Sequence, residues 1–391
     1  MCSVAIGFLN VTITPLTVVL TGLAAASTLY WLYAFGCVVR FRGRPRPVSA
    51  AVPRVTVLKP LCGAHPGLYE SLRSFCEQDY PELQIVFGVR HATDPAVEIV
   101  QRLMDEYRAL NTKLVVNDRD FGANPKVSNL TNMYESVEHD LVVIADSDIS
   151  VGRDYLRSVV APLADPAVGL VTCLYGGNGS GRGWGALGRL FIDDWFFPSA
   201  LVSATGGRLH HAFGATLVFH RRSLEAIGGF AALGAYLADD YMLGELIARR
   251  GYRVVLSPYV VETTVVDRSF PALFLHELRW SRTMRAVRPV GYFLAAVTYG
   301  FVWSALAVAS SGAAGPVLGV AAAHAAVRLA VHRAVRPALP SAGRVSRWAV
   351  WLLPVRDALS LVLWAASFLG RTVRWGRHRF AVDGMGRIEP R

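Results

Sequence analysis

The stretch VVIADSDIS at residues 142–150 runs four apolar residues into Asp146 and Asp148, with only Ser147 between them. Alternate residues at a strand end point the same way, so both carboxylates could reach one cation directly or through water. Hard divalent ions such as Mg2+ or Mn2+ take oxygen ligands and share them with a substrate's phosphates. An Asx turn or helix cap before Arg153 accounts for the same residues without chemistry. Lys126, in FGANPKVSNL (121–130), follows Pro125 at the start of a helical run, where helix amides already favour an anion. Taken alone it reads equally as a solvated surface lysine. Asp239 and Asp240, in GAYLADDYMLGELIARRG (234–251), precede an amphipathic helix. One of them would serve as its N-cap, and two are more than a cap requires. A carboxylate in a dry site could accept a proton from an attacking hydroxyl.

A second cluster, FLHELRWSRTMRAVRP (274–289), holds His276, Arg279, Trp280, Arg282 and Arg285. The arginines fall on neighbouring faces of a helix. They suit lipid phosphates, with Trp280 in an aromatic belt, and equally a diphosphate held by forked hydrogen bonds. Asp193 and Asp194 in LFIDDWFFP sit among aromatics and read as part of an interfacial helix. His210 and His211 lack the spacing of a helical metal pair. The Gly-rich loop at 176–183 matches no phosphate-loop spacing, and no G-x-S-x-G, Walker or zinc pattern occurs.

These residues need a scaffold. Between Pro53 and Val266 short β-rich runs alternate with helical stretches. The runs RVTVLK (54–59), LQIVFGV (83–89), KLVVN (113–117) and LVVIA (141–145) predict strands, with helices over Leu68–Cys76, Ala96–Leu110 and Val127–Glu138. The alternation predicts a mostly parallel sheet with helices on both faces. Ligands in such sheets bind beyond the carboxyl ends of the strands, which puts Asp94 and Asp146 on one rim. Later come a strand at Gly169–Cys173, a helix across Trp184–Val202, a strand at 214–220 and a helix beginning near Asp239.

The flanks are apolar. Of the 391 residues 53% are hydrophobic, and the mean hydropathy is +0.35. The uncharged run Thr12 to Val39 exceeds the ~20 residues needed to cross a bilayer, and without a basic n-region it reads as a retained anchor. Arg40, Arg42, Arg44 and Arg46 follow it and favour the cytoplasmic side for what comes next. Three more apolar stretches run Gly291–Ser310, Ala313–Val331 and Trp348–Leu369. The first and last read as spans. The middle one, with His324 and Arg328, reads as a span or as a re-entrant or interfacial segment. The net charge of +11 lies largely at the ends of these stretches, where anionic headgroups are its simplest partner, so it requires no nucleic acid. Five cysteines without C-x-x-C spacing read as reduced thiols. The chain thus divides into an anchor with its basic flank (1–47), a catalytic-type domain (48–270), an amphipathic helix (271–289), a transmembrane region (290–370) and a basic tail (371–391).

In order, TVLKPLCG, TDPA, NPKVSNL, ADSDIS, LADDY and HELRW resemble the ceramide glucosyltransferase family and its bacterial branch that glycosylates hopanoid lipids. The tail WGRHRFAVDGMGRI (375–388) resembles the strand-like ending of many membrane glycosyltransferases. The resemblance implies the A-type nucleotide-sugar fold and inverting, non-processive transfer of glucose or N-acetylglucosamine from a UDP-sugar to a lipid hydroxyl at the cytoplasmic face. It places Asp94 and Lys126 at the donor, Asp146 and Asp148 on a divalent cation (Mn2+ or Mg2+), and Asp240 as general base. It puts Arg279 on the diphosphate and Trp280 at the acceptor. His276 stands where the family signature has Gln or Arg, and the resemblance puts it beside donor or acceptor. Rival readings are a processive polysaccharide synthase of the cellulose or hyaluronan type and a non-enzymatic scaffold that binds anionic lipid.

Overall fold

The computed structural model of the chain describes residues 14–47, 52–178, 183–265, 267, 269–340, 347–375 and 378–390. Thr12, residues 179–182 of the Gly-rich loop, Arg344 and Arg377 lie outside them. Helix α1 (Pro15–Arg42) starts where Thr14 Oγ1 accepts a hydrogen bond from Thr17 N at 3.2 Å and proline takes the first helical position. At ~1.5 Å per residue its length exceeds the ~30 Å apolar core of a bilayer.

The expected alternation follows: β1 (Val55–Pro60), α2 (Leu68–Cys76), β2 (Leu83–Val89), α3 (Ala96–Glu106), β3 (Asn111–Val116), α4 (Pro125–Tyr134) and β4 (Leu141–Ile144). Beyond it come β5 (Ile149–Ser150), α5 (Tyr155–Val160), β6 (Val168–Asn178) and α6 (Gly183–Phe191). A π-helical turn at Ile192–Phe196 leads into α7 (Phe197–Thr205). Strand β7 (Leu217–His220), α8 (Arg221–Glu225), α9 (Asp239–Arg249) and β8 (Arg253–Thr264) complete the domain. The eight strands lie in the order β3-β2-β1-β4-β7-β6-β8-β5. Pairs β3–β2, β2–β1, β1–β4 and β6–β8 are parallel, whereas β7 runs against both β4 and β6, and β5 against β8. Every residue of β1 and β2 is buried. Successive side chains supply opposite faces: Leu58 and Val86 join the apolar cluster that also holds Trp31 and Ala34 of α1, while Val57 and Ile85 join Leu72 and Val100 of α2 and α3.

After the domain come α10 (Phe270–Val287), α11 (Pro289–Leu294), α12 (Gly300–Ser310), α13 (Gly315–Val335) and α14 (Leu353–Ser367). Among the described residues three helical stretches are long and apolar enough to cross a membrane: Pro15–Arg42, Gly315–Ala338 and Trp348–Ser367. Here the expectations are corrected. The stretch Gly291–Ser310 is not one straight helix: α11 and its following 3-10 turn meet α12 at a 52° bend. The carbonyl of Thr298, freed at that break, accepts a hydrogen bond from Trp31 Nε1 of α1 at 2.8 Å. Such a break is stable where a neighbouring helix satisfies the freed groups. The middle stretch is a continuous helix whose polar residues turn inward. Arg328 is 2% exposed, lies 3.8 Å from the Trp31 ring centroid and donates to Asp194 O and Asp357 Oδ1.

Asp193 and Asp194 do not lie at an interface either. Both are buried in the π-helical turn. Asp193 accepts from Gly177 N (2.8 Å), Arg189 Nε (3.1 Å) and Arg336 Nη1 (3.2 Å). Asp194 accepts from Arg336 Nη2 (2.6 Å) and pairs with His332 Nδ1 (2.7 Å). Their partners on α13 and the turn after it fasten that helix to the sheet domain. The expected basic tail is folded as well: β9 (Thr372–Trp375), β10 (His378–Val382) and β11 (Ile388–Pro390) form a three-stranded antiparallel sheet around Val373, Phe380, Val382 and Ile388.

Candidate active site

The parallel strands β1, β2 and β4 end on one edge of the sheet, and the acidic residues stand along it. Asp146 follows β4 and keeps its side chain 37% exposed. Its Oδ1 lies 2.6 Å from Lys126 Nζ. Lys126 sits in the first turn of α4, whose N-terminus Asn124 caps by accepting from Lys126 N (2.9 Å) and Val127 N (3.2 Å). The reading of Lys126 as a solvated surface residue is therefore overturned. Its Nζ also lies 3.4 Å from Asp239 Oδ2. Burial alone would lower its pKa, but the carboxylates of Asp146, Asp239 and Asp240 outweigh that and raise it, so it stays a fixed cation.

Asp148 is buried. Its Oδ2 accepts from Thr263 Oγ1 of β8 at 2.7 Å, and burial followed by the like charge of Asp146 raises its pKa. Asp239 and Asp240 open α9, and neither caps it: the capping position is Ala238, with no side-chain hydrogen bond. Asp240 is pushed up to about 6, first by burial and then by Asp239 beside it. Gly214 explains how Asp240 and Asp146 come together. A Cβ at that position would lie 2.9 Å from Asp240 Oδ2 and 3.4 Å from Asp146 Oδ2, so both carboxylates close on one bare stretch of backbone.

Helix α10 brings the second cluster. Arg279 is half-buried; desolvation lowers its pKa, while Asp146, Asp148 and the Tyr175 hydroxyl pull it back up. Tyr175, on β6, stacks on Phe196 with centroids 4.7 Å apart and feels Asp240, Asp148, Asp146 and Arg279 together, which puts it among them. Trp280 stacks on Phe191 at 5.8 Å, and the His276 ring lies 4.3 Å from it. His276 Nδ1 faces Asp267 Oδ2 at 3.2 Å. Arg282 and Arg285, expected on phosphates, are corrected: they donate to the backbone carbonyls of Thr372 and Gly370, the latter at 2.8 Å. Asp94 holds the loop after β1, accepting from Gly63 N at 2.9 and 3.0 Å and from Ala96 N at 2.9 Å.

The structure thus joins Lys126, Asp146, Asp148, Asp239, Asp240 and Arg279, sets Asp94 on the same edge, and places His276 and Trp280 on α10 beside it. It adds two residues that sequence reasoning missed, Tyr175 and Lys59. Lys59, fully buried at the end of β1, donates from Nζ to Asp146 O at 2.6 Å and lies 4.0 Å from the Phe75 ring centroid. Burial pulls its pKa down to about 7 against the opposing pull of Asp148 and Asp146. A signal existed: only Lys59, Lys113 and Lys126 of the 40 basic residues are lysine, and Lys59 interrupts an apolar strand. No three His, Cys, Asp or Glu side chains form a closed metal cage among the described residues. Two carboxylates two positions apart suit instead an ion that completes its shell with phosphate oxygens and water.

The edge thus gathers the carboxylates of Asp146, Asp148, Asp239 and Asp240 around the Lys126 and Arg279 cations. Ceramide glucosyltransferase 3 of Caenorhabditis elegans is 26% identical over 252 residues, covering 62% of this chain and 52% of that protein. Ceramide glucosyltransferase 1 of the same organism is 24% identical over 274 residues, covering 69% and 58%. The chain therefore spans a little over half the length of these curated relatives. Among solved structures, the mannosyltransferase PcManGT from Pyrobaculum calidifontis in complex with GDP-Man and Mn2+ aligns at TM-score 0.59 with 24% identity, over 90% of this chain and 99% of that one, a likeness of fold. Residues 19–388, from within α1 to the start of β11 and so including every residue of the site, match glycosyl transferase family 21, and the chain belongs to that ceramide glucosyltransferase-like family.

Proposed function

We propose that the protein transfers one hexose, glucose or N-acetylglucosamine, from a UDP-sugar to the hydroxyl of a membrane lipid, a ceramide or a hopanoid, with inversion at the anomeric carbon. The observation that carries the reading is the meeting of Asp240, pushed up to about 6, with the Lys126 and Arg279 cations around Asp146. A base near neutrality can take a proton from an alcohol at working pH. In the proposed step Asp240 accepts the lipid hydroxyl's proton while that oxygen forms a bond to the anomeric carbon. The bond from that carbon to the diphosphate oxygen breaks, and UDP leaves. Arg279 and Lys126 stabilise the charge that develops on the leaving diphosphate.

Asp146 and Asp148 supply the hard oxygen donors for Mg2+ or Mn2+, which when bound would add Lewis-acid charge at the diphosphate. The Mn2+ and GDP-Man held by the mannosyltransferase of like fold support a divalent cation and a nucleotide-sugar donor in general. Asp94, on the same edge, serves the uracil and ribose, and Trp280, with His276 against it, shapes the acceptor side. The apolar helices support an acceptor that enters sideways from a leaflet, and Arg40, Arg42, Arg44 and Arg46, at and just after the end of α1, favour the cytoplasmic side for the sheet domain. The deciding experiment crosses UDP-glucose, UDP-N-acetylglucosamine and UDP-galactose with ceramide, diacylglycerol and hopanoid acceptors in membranes. A singly glycosylated lipid with an inverted anomeric centre is expected. A polymer, or no transfer from any donor, overturns the reading.

A further inference from the structure

The segment that delivers Asp239 and Asp240 is held from two sides. On the first, Gly234 backs directly on Gly122, where an added Cβ would meet the Gly234 carbonyl oxygen at 2.6 Å. Asn124 donates from its backbone N to Gly234 O at 2.9 Å and from Nδ2 to Tyr236 O at 2.8 Å. On the second side stands the small sheet that follows α14. Ile388 N donates to Ala235 O at 2.8 Å, Leu237 N donates to Gly386 O at 3.0 Å, and Tyr236 and Arg387 form an antiparallel bridge between them. The Leu237 side chain is buried with Val373, Phe380, Val382 and Ile388. Residues 235–237 are in effect a fourth strand added to the edge of β11. The same sheet grips α10, through Arg282 on Thr372 O and Arg285 on Gly370 O. Helix α9 itself starts without a side-chain cap, so its first residues depend on these external contacts.

We propose that β9–β11 is a positioning clamp for the transfer site: it ties the turn before Asp239 and Asp240 to the helix that carries Arg279, and so fixes the distance between base and leaving-group cation. The proposal rests on the reading of Asp240 as the base. Its residues touch no reacting atom; they act through the backbone of 235–237. Misplacing a catalytic group by a fraction of its hydrogen-bond length slows the chemical step without weakening ground-state binding of the donor.

One backbone donor isolates the effect. Val382, opposite Ile388, turns its own N–H toward Arg371 O, and Ile388 turns its N–H outward to Ala235. Proline can stand where the β10–β11 ladder does not use the N–H, so Ile388→Pro deletes the clamp bond while leaving that ladder in place, and it also removes a side chain that is 3% exposed. Ile388→Ala loses the same buried side chain, keeps the donor and serves as control. The full chain in lipid nanodiscs is followed by amide exchange and by steady-state transfer. Relative to Ile388→Ala, exchange over residues 235–241 in Ile388→Pro is expected to quicken about tenfold and kcat to fall about tenfold, the scale of one net hydrogen bond, with the donor KM held. Exchange and kcat in Ile388→Pro equal to those in Ile388→Ala overturn the clamp. A parent chain that transfers no sugar overturns instead the assignment of Asp240, and the exchange arm then decides the clamp alone.

Discussion

As the proposed base, Asp240 would set both the chemistry and the pH range. Asp240→Asn keeps the shape and removes the base, so kcat should fall by roughly 10²–10⁴ with donor KM little changed, as steady-state kinetics would show. A carboxyl raised to about 6 holds its proton below that pH and cannot accept another. The transfer rate should therefore rise with pH, turn near 6 and level above it; a profile already flat at pH 5 would remove Asp240 from the role. At this scale the sequence was legible in types and illegible in pairings. Two acids after Leu-Ala and a lysine after a proline are visible in a one-dimensional string. That Lys126 bonds both Asp146 and Asp239 is not, because those partners are separated along the chain and are joined only by the sheet edge. Lys59 escaped notice because its strand reads as apolar with one interruption.

At the scale of elements, helix α10 is held in place by a buried pair. Glu277, next to His276 and two residues before Arg279, accepts on Oε1 from Arg356 Nη1 of α14 at 2.9 Å, and its Oε2 lies 2.8 Å from Nη2 in an ion pair, with each residue 2% exposed or less. Removing one partner of such a pair strands the other. Arg356→Met should cost about 3–5 kcal/mol in mixed-micelle unfolding, and adding Glu277→Leu should recover most of it. The first four strands were predictable because β1, β2 and β4 are buried throughout and therefore continuous in apolar residues. Strand β8 was not, since Ser257, Pro258, Glu262 and Thr263 break its pattern and its registry with β6 shifts. Asp193 and Asp194 were misread for a similar reason. Their neighbours Trp195 and Phe196 look interfacial, and the cations that neutralise them arrive up to 143 residues later.

For the whole molecule, the apolar helices and the cationic flank of α1 make sidedness the question. Cys62 is exposed on the same edge of the sheet as Asp94, while Cys37 and Cys173 are buried. In a chain keeping Cys62 as its single cysteine, a membrane-impermeant maleimide should label inverted vesicles and spare right-side-out ones. The reverse pattern would put the sheet domain outside. The roles proposed for the residues gathered at the edge involve a phosphate and a hydroxyl, so the crossed-substrate assay reads out the sugar and the lipid.

The aspartates of the π-helical turn carry a practical consequence for anyone wishing to study the sheet domain in isolation. Cutting the chain before α11 would produce a fragment that looks complete on paper, with all eight strands and every proposed catalytic group. It would also lack Arg328, His332 and Arg336, leaving Asp193 its bonds from Gly177 N and Arg189 and taking from Asp194 the cations that pair with it among the described residues. Such a fragment should come out insoluble or loosely folded, and co-expression with residues 289–390 as a separate piece should rescue it. The sheet and the helices would then be halves of one folding unit.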